Sequence, residues 1–112
     1  MRLPTAILFL ALAAGPCVAA AQPASVDPPE GKRLFDHKCG MCHNAVGMGT
    51  GLLARRVPPG QAELEKSQNL TAGFVTTVAR RGLGNMPPIT RGDVSDSEMA
   101  KIAAYLAREP AR

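Results

Sequence analysis

The segment Cys39-Gly40-Met41-Cys42-His43 has the pattern C-x-x-C-H, in which two cysteines separated by two residues are followed directly by a histidine. This pattern is the attachment signature of a c-type haem, where both thiols form thioether bonds with the porphyrin and the histidine ligates the iron. Two intervening residues allow one helical turn to present both sulfurs to one edge of the macrocycle. The segment therefore predicts one covalently bound haem c.

Three other interpretations of the same cysteines compete with haem attachment. A thioredoxin-like redox pair needs a preceding strand within a βαβ unit, but residues 30–38 have a helical pattern and the sequence contains no strand-like run. A zinc site needs further ligands at separated positions, and His37 is the one histidine left besides His43. A structural disulfide between Cys39 and Cys42 would leave His43 without a role.

Length and composition limit the protein to one small domain. The chain has 112 residues and a formal net charge of +4, with 4% aromatic residues, no Trp, 11 Gly and 10 Pro. Three cysteines cannot form a framework of paired disulfides, and a multidomain enzyme, a coiled coil and a collagen-like repeat are excluded as well. A nucleic-acid partner would require denser Lys/Arg clustering and is not expected.

The first 21 residues have the features of a secretory signal peptide. Met1-Arg2 supplies a positive charge, residues 6–14 form a short apolar run, and Ala19-x-Ala21 offers a cleavage site. The run is shorter than the roughly 20 apolar residues that a membrane helix needs. We therefore expect a cleaved signal peptide at 1–21, a mature domain at 22–112 without a membrane anchor, and a periplasmic location. A lipoprotein acylated at Cys17 is the alternative, although Pro16 precedes this cysteine where a small residue is expected.

The mature sequence resembles the class I c-type cytochromes. The resemblance rests on the haem motif and on three further segments, namely Gly31-x-x-Leu34-Phe35, Asn85-Met86-Pro87-Pro88 and Ile102-Ala103-Ala104-Tyr105-Leu106. It implies an all-α fold, with three to four helices wrapped around one haem. It also implies that the two terminal helices pack together through Gly31, Phe35, Tyr105 and Leu106.

Met86 is the methionine that the resemblance assigns as the second axial ligand, opposite His43. Pro87 and Pro88 fix φ and remove two backbone donors, which stiffens this loop. A thioether ligand raises the potential of the iron relative to a second histidine. Among the competing groups, Met41, Met48 and Met99 have packing as their ordinary role, and His37 is expected to face solvent.

Capping patterns predict three helices. Asp27-Pro28-Pro29-Glu30 predicts a helix start with Asp27 as the N-cap and Glu30 at the third helical position, and Ser95 with Glu98 forms a second capping box. Val94 and Met99 are placed to form a hydrophobic staple at the second box. Thr71 is expected to cap a third helix that ends at Gly82 and carries an apolar side made of Phe74, Val75 and Val78.

Two segments follow the haem motif without a clear helical pattern. Residues 46–51 are rich in glycine, but no strand precedes them and no Walker lysine follows, so they do not predict a nucleotide site. We expect these glycines to let the backbone pass close to a flat macrocycle, with Leu52 and Leu53 covering its face. Residues 54–68 are expected to form a polar surface excursion.

The resemblance implies an electron carrier rather than an enzyme, because a haem ligated by both His43 and Met86 leaves no open position for a substrate. Within the family, the chain is similar to the small cytochrome subunit of p-cresol methylhydroxylase-type flavoprotein dehydrogenases. That similarity rests on Gly31-Lys32-x-Leu34-Phe35-Asp36, Val46-Gly47-x-Gly49 and Arg81-Gly82 before Met86-Pro87.

The chain departs from this subunit at Thr50, where proline is commoner, and in residues 54–68. The expected partners are a periplasmic flavoprotein or other dehydrogenase as electron donor, and a downstream electron acceptor in the respiratory chain. Two alternatives remain: a free soluble shuttle to a terminal oxidase or reductase, and a haem sensor or peroxidase, which needs an open sixth position.

Overall fold

The computed structural model describes residues 29–108, which form an all-helical domain. No strand occurs in this range, so the predicted all-α class is confirmed. None of the helices in 29–108 has the length and apolar character needed to cross a membrane. The expected signal peptide at 1–21 lies outside the described residues. The five α-helices are α1 (Glu30–Lys38), α2 (Gly40–His43), α3 (Met48–Leu53), α4 (Ala72–Arg81) and α5 (Asp96–Leu106), with a 3₁₀ turn at Leu64–Lys66.

The packing of α1 against α5 forms the centre of the core, as the sequence predicted. Gly31 lies so close to α5 that a Cβ atom at this position would be 2.7 Å from Cβ of Tyr105. The rings of Phe35 and Tyr105 lie 6.2 Å apart between centroids and are tilted by 44°. Phe35 and Ile102 are the largest fully buried side chains of the described chain. The absence of a side chain at Gly31 therefore allows two helices to cross closely enough to enclose these residues.

The helix starts at α4 and α5 are as predicted, whereas the start of α1 is not. Ser95 Oγ accepts the N–H of Glu98, and the Glu98 carboxylate accepts the N–H of Ser95 at 2.8 Å, which completes the capping box. Thr71 Oγ1 accepts the N–H of Phe74 at 3.2 Å. At α1, however, Pro29 is the N-cap and no side chain caps the helix. Glu30 is thus the first helical residue rather than the third, and Asp27 lies outside the described residues.

The part of α4 that packs against the core includes only part of the predicted apolar side. Val75 and Ala79, four residues apart, pack against the core, while 54% of Phe74 is exposed. The reason is geometric, because residues at i and i+4 share a helix face and Phe74 is rotated about 100° from Val75. Gly82 ends α4 with a φ of +75°, a conformation that glycine adopts without strain.

Residues 54–68 are not the purely polar excursion that the sequence suggested. Ala62 is buried and Leu64 packs against the core. The Glu65 carboxylate accepts the hydroxyl of Tyr105 and lies 3.3 Å from Nζ of Lys32. This segment therefore connects α1 and α5 through a polar contact that local sequence patterns do not reveal.

Candidate haem-binding site

The two cysteines and the histidine of the motif lie on one continuous turn at the junction of α1 and α2. The N–H of Cys39 donates to the carbonyl of Phe35 at 2.8 Å, and the N–H of His43 donates to the carbonyl of Cys39 at 3.0 Å. Both cysteines are free thiols; Cys39 is half-buried and Cys42 is exposed. The end of α1 thus fixes the backbone that carries all three groups.

Burial determines the protonation state of two of these groups. Burial raises the pKa of the Cys39 thiol, and the neighbouring Cys42 adds to this shift. Burial also lowers the pKa of His43. Both shifts follow from the cost of placing a charge in a less polar environment. At neutral pH His43 is therefore a neutral imidazole, which is the form that ligates metals.

Gly47 and Gly49 are required by the attachment turn itself. A Cβ atom at Gly47 would lie 2.6 Å from the carbonyl carbon of Cys42, and one at Gly49 would lie 3.1 Å from Cε1 and 3.2 Å from Nδ1 of His43. These contacts with the motif are a reason for both glycines that the sequence did not show, and the predicted passage close to a macrocycle stays a prediction. The glycine-rich segment also forms the short helix α3 instead of a loop, and a Cβ atom at Gly51 would meet no atom within 4 Å.

Met86 lies in a tight turn that follows α4. Leu83 and Met86 exchange two backbone hydrogen bonds, both of 3.0 Å. A Cβ atom at Gly82 would lie 2.7 Å from the Met86 carbonyl oxygen, so only glycine fits at this position. Beyond the turn, the N–H of Ile89 donates to the carbonyl of Ala79 at 2.8 Å and ties the end of the loop back to α4.

Exposure separates Met86 from the other methionines of the described chain. Met41 and Met48 are 87% and 70% exposed, and Met99 is 3% exposed within the core. Met86 is half-buried and packs against the same core cluster as Cys39. The fold therefore brings the methionine loop and the attachment turn, which are far apart in sequence, to one cluster. His37 is exposed, as expected.

The donor set fits a c-type haem. Two free thiols on one turn, a neutral imidazole beside them and a half-buried thioether are the groups that covalent attachment and His/Met ligation require. Leu52 and Leu53, the expected covers of the haem face, are half-buried in α3. Phe74 and Leu83 are 54% and 58% exposed. Large apolar side chains therefore remain accessible beside the helix and loop that lead to Met86.

Carboxylates are absent from both segments that carry the expected ligands. No Asp or Glu occurs in residues 37–62 or 66–92. Within residues 29–108, Arg55, Arg56 and Arg81 form no ion pair, and Arg56 reaches to within 3.6 Å of the position that a Cβ atom at Gly84 would occupy. The loop around Met86 therefore has a positive border. The sequence shows that both segments lack acidic residues, but only the structure shows that Arg56 of one segment lies near the Met86 loop of the other.

Comparisons with known proteins show the family to which the chain belongs. A family model described as cytochrome C oxidase, cbb3-type, subunit III matches residues 26–106. The 4-cresol dehydrogenase (hydroxylating) cytochrome c subunit of Pseudomonas putida is 31% identical over 82 residues, which are 72% of this chain and 61% of that protein. The thiosulfate dehydrogenase of Psychrobacter arcticus is 37% identical over 83 residues, 71% of this chain and 25% of that protein.

The chain thus spans less than two thirds of the length of either relative. No solved structure matches it significantly.

Proposed function

The chain belongs to the c-type cytochrome family, and from this premise we propose that it is a periplasmic electron carrier with one covalent haem c. Cys39 and Cys42 would form the two thioether bonds, and His43 and Met86 would be the axial ligands. When bound, the haem supplies a reversible one-electron couple at its iron. The observation that carries the proposal is the combination of a C-x-x-C-H turn with a half-buried methionine on the same core cluster.

Each residue of the site has a distinct part in this proposal. The thiols of Cys39 and Cys42, which are free in the structure, would hold the porphyrin edge at the α1–α2 junction. The half-buried, neutral imidazole of His43 would provide a nitrogen lone pair, and the Met86 thioether would provide a soft ligand held by the turn at Gly82. With His43 and Met86 as the two axial ligands, no position would be open for a substrate. This supports a carrier over a haem sensor or peroxidase.

The electron donor in this proposal is a dehydrogenase, with a flavoprotein favoured. Both relatives support it, since one is named as the cytochrome c subunit of a dehydrogenase and the other as a dehydrogenase. Electrons would then pass to an acceptor of the respiratory chain. A free shuttle to a terminal oxidase is the second candidate, supported by the family model named after an oxidase subunit.

Residues 1–21 support export in this proposal. A charged start, a short apolar run and an Ala-x-Ala site are the parts of a cleavable signal peptide. A periplasmic location would also place the chain where c-type haem proteins of this kind work. The mass of the mature protein, isolated from the periplasm, tests the expected cleavage after Ala21.

Replacing Met86 tests the axial ligation. We expect Met86→Ala to abolish the charge-transfer band of thioether-ligated ferric haem and to let added imidazole or carbon monoxide bind the iron. Met41→Ala is the matched control, because Met41 is 87% exposed and is expected to leave the spectrum unchanged. An unaltered spectrum in Met86→Ala would refute the ligation.

Gentle purification at low salt from the native periplasm tests the partner. Reduced c-type haem bands together with flavin absorbance in one fraction would support the dehydrogenase subunit. Haem bands alone, in a fraction with the mass of the single chain, would support the free shuttle instead.

A further inference from the structure

Two buried polar atoms of residues 29–108 lack a hydrogen-bond partner, and both belong to the haem-binding region. They are Nδ1 of His43 and Oγ1 of Thr50. Buried polar side-chain atoms are nearly always paired in folded proteins, so each such exception calls for an explanation. One of these atoms can donate and the other can accept, because a neutral imidazole carries one N–H and a hydroxyl has two lone pairs.

The backbone just before Thr50 runs beside the His43 ring. Gly49 passes along the Nδ1 edge of His43, where its Cβ atom would lie 3.2 Å from Nδ1. Thr50 is the next residue in α3, and it is only 6% exposed. The missing side chain at Gly49 keeps the space beside the ring open. The Thr50 hydroxyl is itself buried, out of contact with bulk water.

The backbone carbonyl of Thr50 is already in use. It accepts the N–H of Ala54, the residue that follows α3, at 2.9 Å. The hydroxyl of the same residue has no bond at all. A carbonyl oxygen can accept a second bond, but the hydroxyl is the oxygen of Thr50 that has no partner.

We propose that Thr50 Oγ1 accepts a hydrogen bond from Nδ1–H of His43 when His43 ligates the haem iron through Nε2. This inference rests on the proposed haem ligation. Metal-ligating histidines generally donate their second ring N–H to a nearby acceptor, which fixes the ring and raises its basicity. Thr50 is thus a positioning residue. A more basic ligand stabilises ferric over ferrous iron, so the Thr50 hydroxyl lowers the reduction potential.

The midpoint potential of haem-loaded Thr50→Val tests this bond. Valine keeps the shape and the backbone carbonyl but removes the hydroxyl. We expect the equilibrium constant for reduction of the haem to increase at least threefold. At 59 mV per tenfold change, this corresponds to a rise of about 28 mV in the midpoint potential. Thr50→Ser keeps a hydroxyl and should restore most of the wild-type value. Thr77→Val is the matched control, because Thr77 is exposed on α4.

NMR of the ¹⁵N-labelled ferrous protein provides a second readout that does not depend on a variant. In the wild type we expect a slowly exchanging Nδ1–H signal of His43 with a cross-peak to Hβ of Thr50. In Thr50→Val this proton should exchange faster. If Thr50→Val does not fold, the wild-type cross-peak alone decides.

The outcomes separate this proposal from the proposed function. A c-type spectrum with His/Met ligation, combined with an unchanged potential in Thr50→Val or with no cross-peak to Thr50, overturns the role of the hydroxyl alone. A wild-type protein that lacks His/Met ligation instead overturns the proposed function.

Discussion

Substitution of Gly31 by alanine tests the helix crossing on which the fold depends. In the structure, a Cβ atom at this position would lie 2.7 Å from Cβ of Tyr105 and 3.1 Å from the carbonyl carbon of Lys101. Carbon atoms in ordinary contact are about 3.5–4.0 Å apart. Neither neighbour can rotate away, since one is backbone and the other is directly attached to it. We therefore expect Gly31→Ala to force α1 and α5 apart by about 1 Å.

The expected loss of stability follows from two opposing effects. Overpacking of a tight contact costs about 1–3 kcal/mol, and a clash with rigid atoms belongs at the upper end of this range. Alanine returns up to about 1 kcal/mol through its higher helix propensity. The net destabilisation is about 2 kcal/mol, which for a domain of this size lowers Tm by about 8–16 °C.

Thermal unfolding of the haem-loaded protein, followed by circular dichroism, measures this effect. Gly73→Ala is the matched control, because Gly73 is also helical and a Cβ atom there would meet no atom within 4 Å. The control should be unchanged or more stable by up to about 1 kcal/mol. If Gly31→Ala were as stable as Gly73→Ala, the close approach of α1 and α5 would not be a constraint on the fold.

Three further predictions concern a cap, pH and docking. Ser95→Ala removes the cap of α5 and should cost about 1 kcal/mol in urea unfolding; an unchanged midpoint would contradict this. The backbone N–H of Ser95 holds the pKa of Glu98 below its usual value. The Glu98 carboxylate therefore contributes fully to folding stability above its unfolded pKa, and this contribution is lost as pH falls through its folded pKa. Glu98→Gln should reduce the dependence of Tm on pH in thermal melts between about pH 6 and pH 2. Variants in which Arg56 or Arg81 is replaced by a neutral residue should bind an acidic redox partner more slowly in stopped-flow measurements, and their association rate should depend less on salt concentration. The same change at exposed Arg33 should leave both quantities unchanged.

Much of the fold was predictable because the responsible signals are local. The capping box at Ser95, the cap at Thr71 and the helix end at Gly82 each depend on interactions within a few residues, and all three occur in the structure. The crossing at Gly31 was implied by the family resemblance, and the close approach to α5 confirms it. The assignment of His43 and Met86 as the axial ligands of the haem iron remains a prediction, which the Met86→Ala experiment tests.

Sequence patterns did not show which residues pack between distant segments. Phe74 belongs to an apolar pattern, but α4 packs on α5 through Val75 and Ala79 and leaves much of Phe74 exposed. Glu65 lies in a polar stretch, yet it accepts the hydroxyl of Tyr105 because the 3₁₀ turn folds back onto α5. No pattern within a single segment contains this information.

The sequence by itself determined which ligating groups the chain offers, the starts of α4 and α5, and the end of α4. Motif spacing and caps are properties of consecutive residues, and they act through bonds within one turn. Only the tertiary structure decided that Met86 shares a core cluster with Cys39, that Gly49 lies against His43, and that Thr50 has a buried hydroxyl without a partner. These relations depend on which helix faces are buried together, and burial is a property of the whole fold.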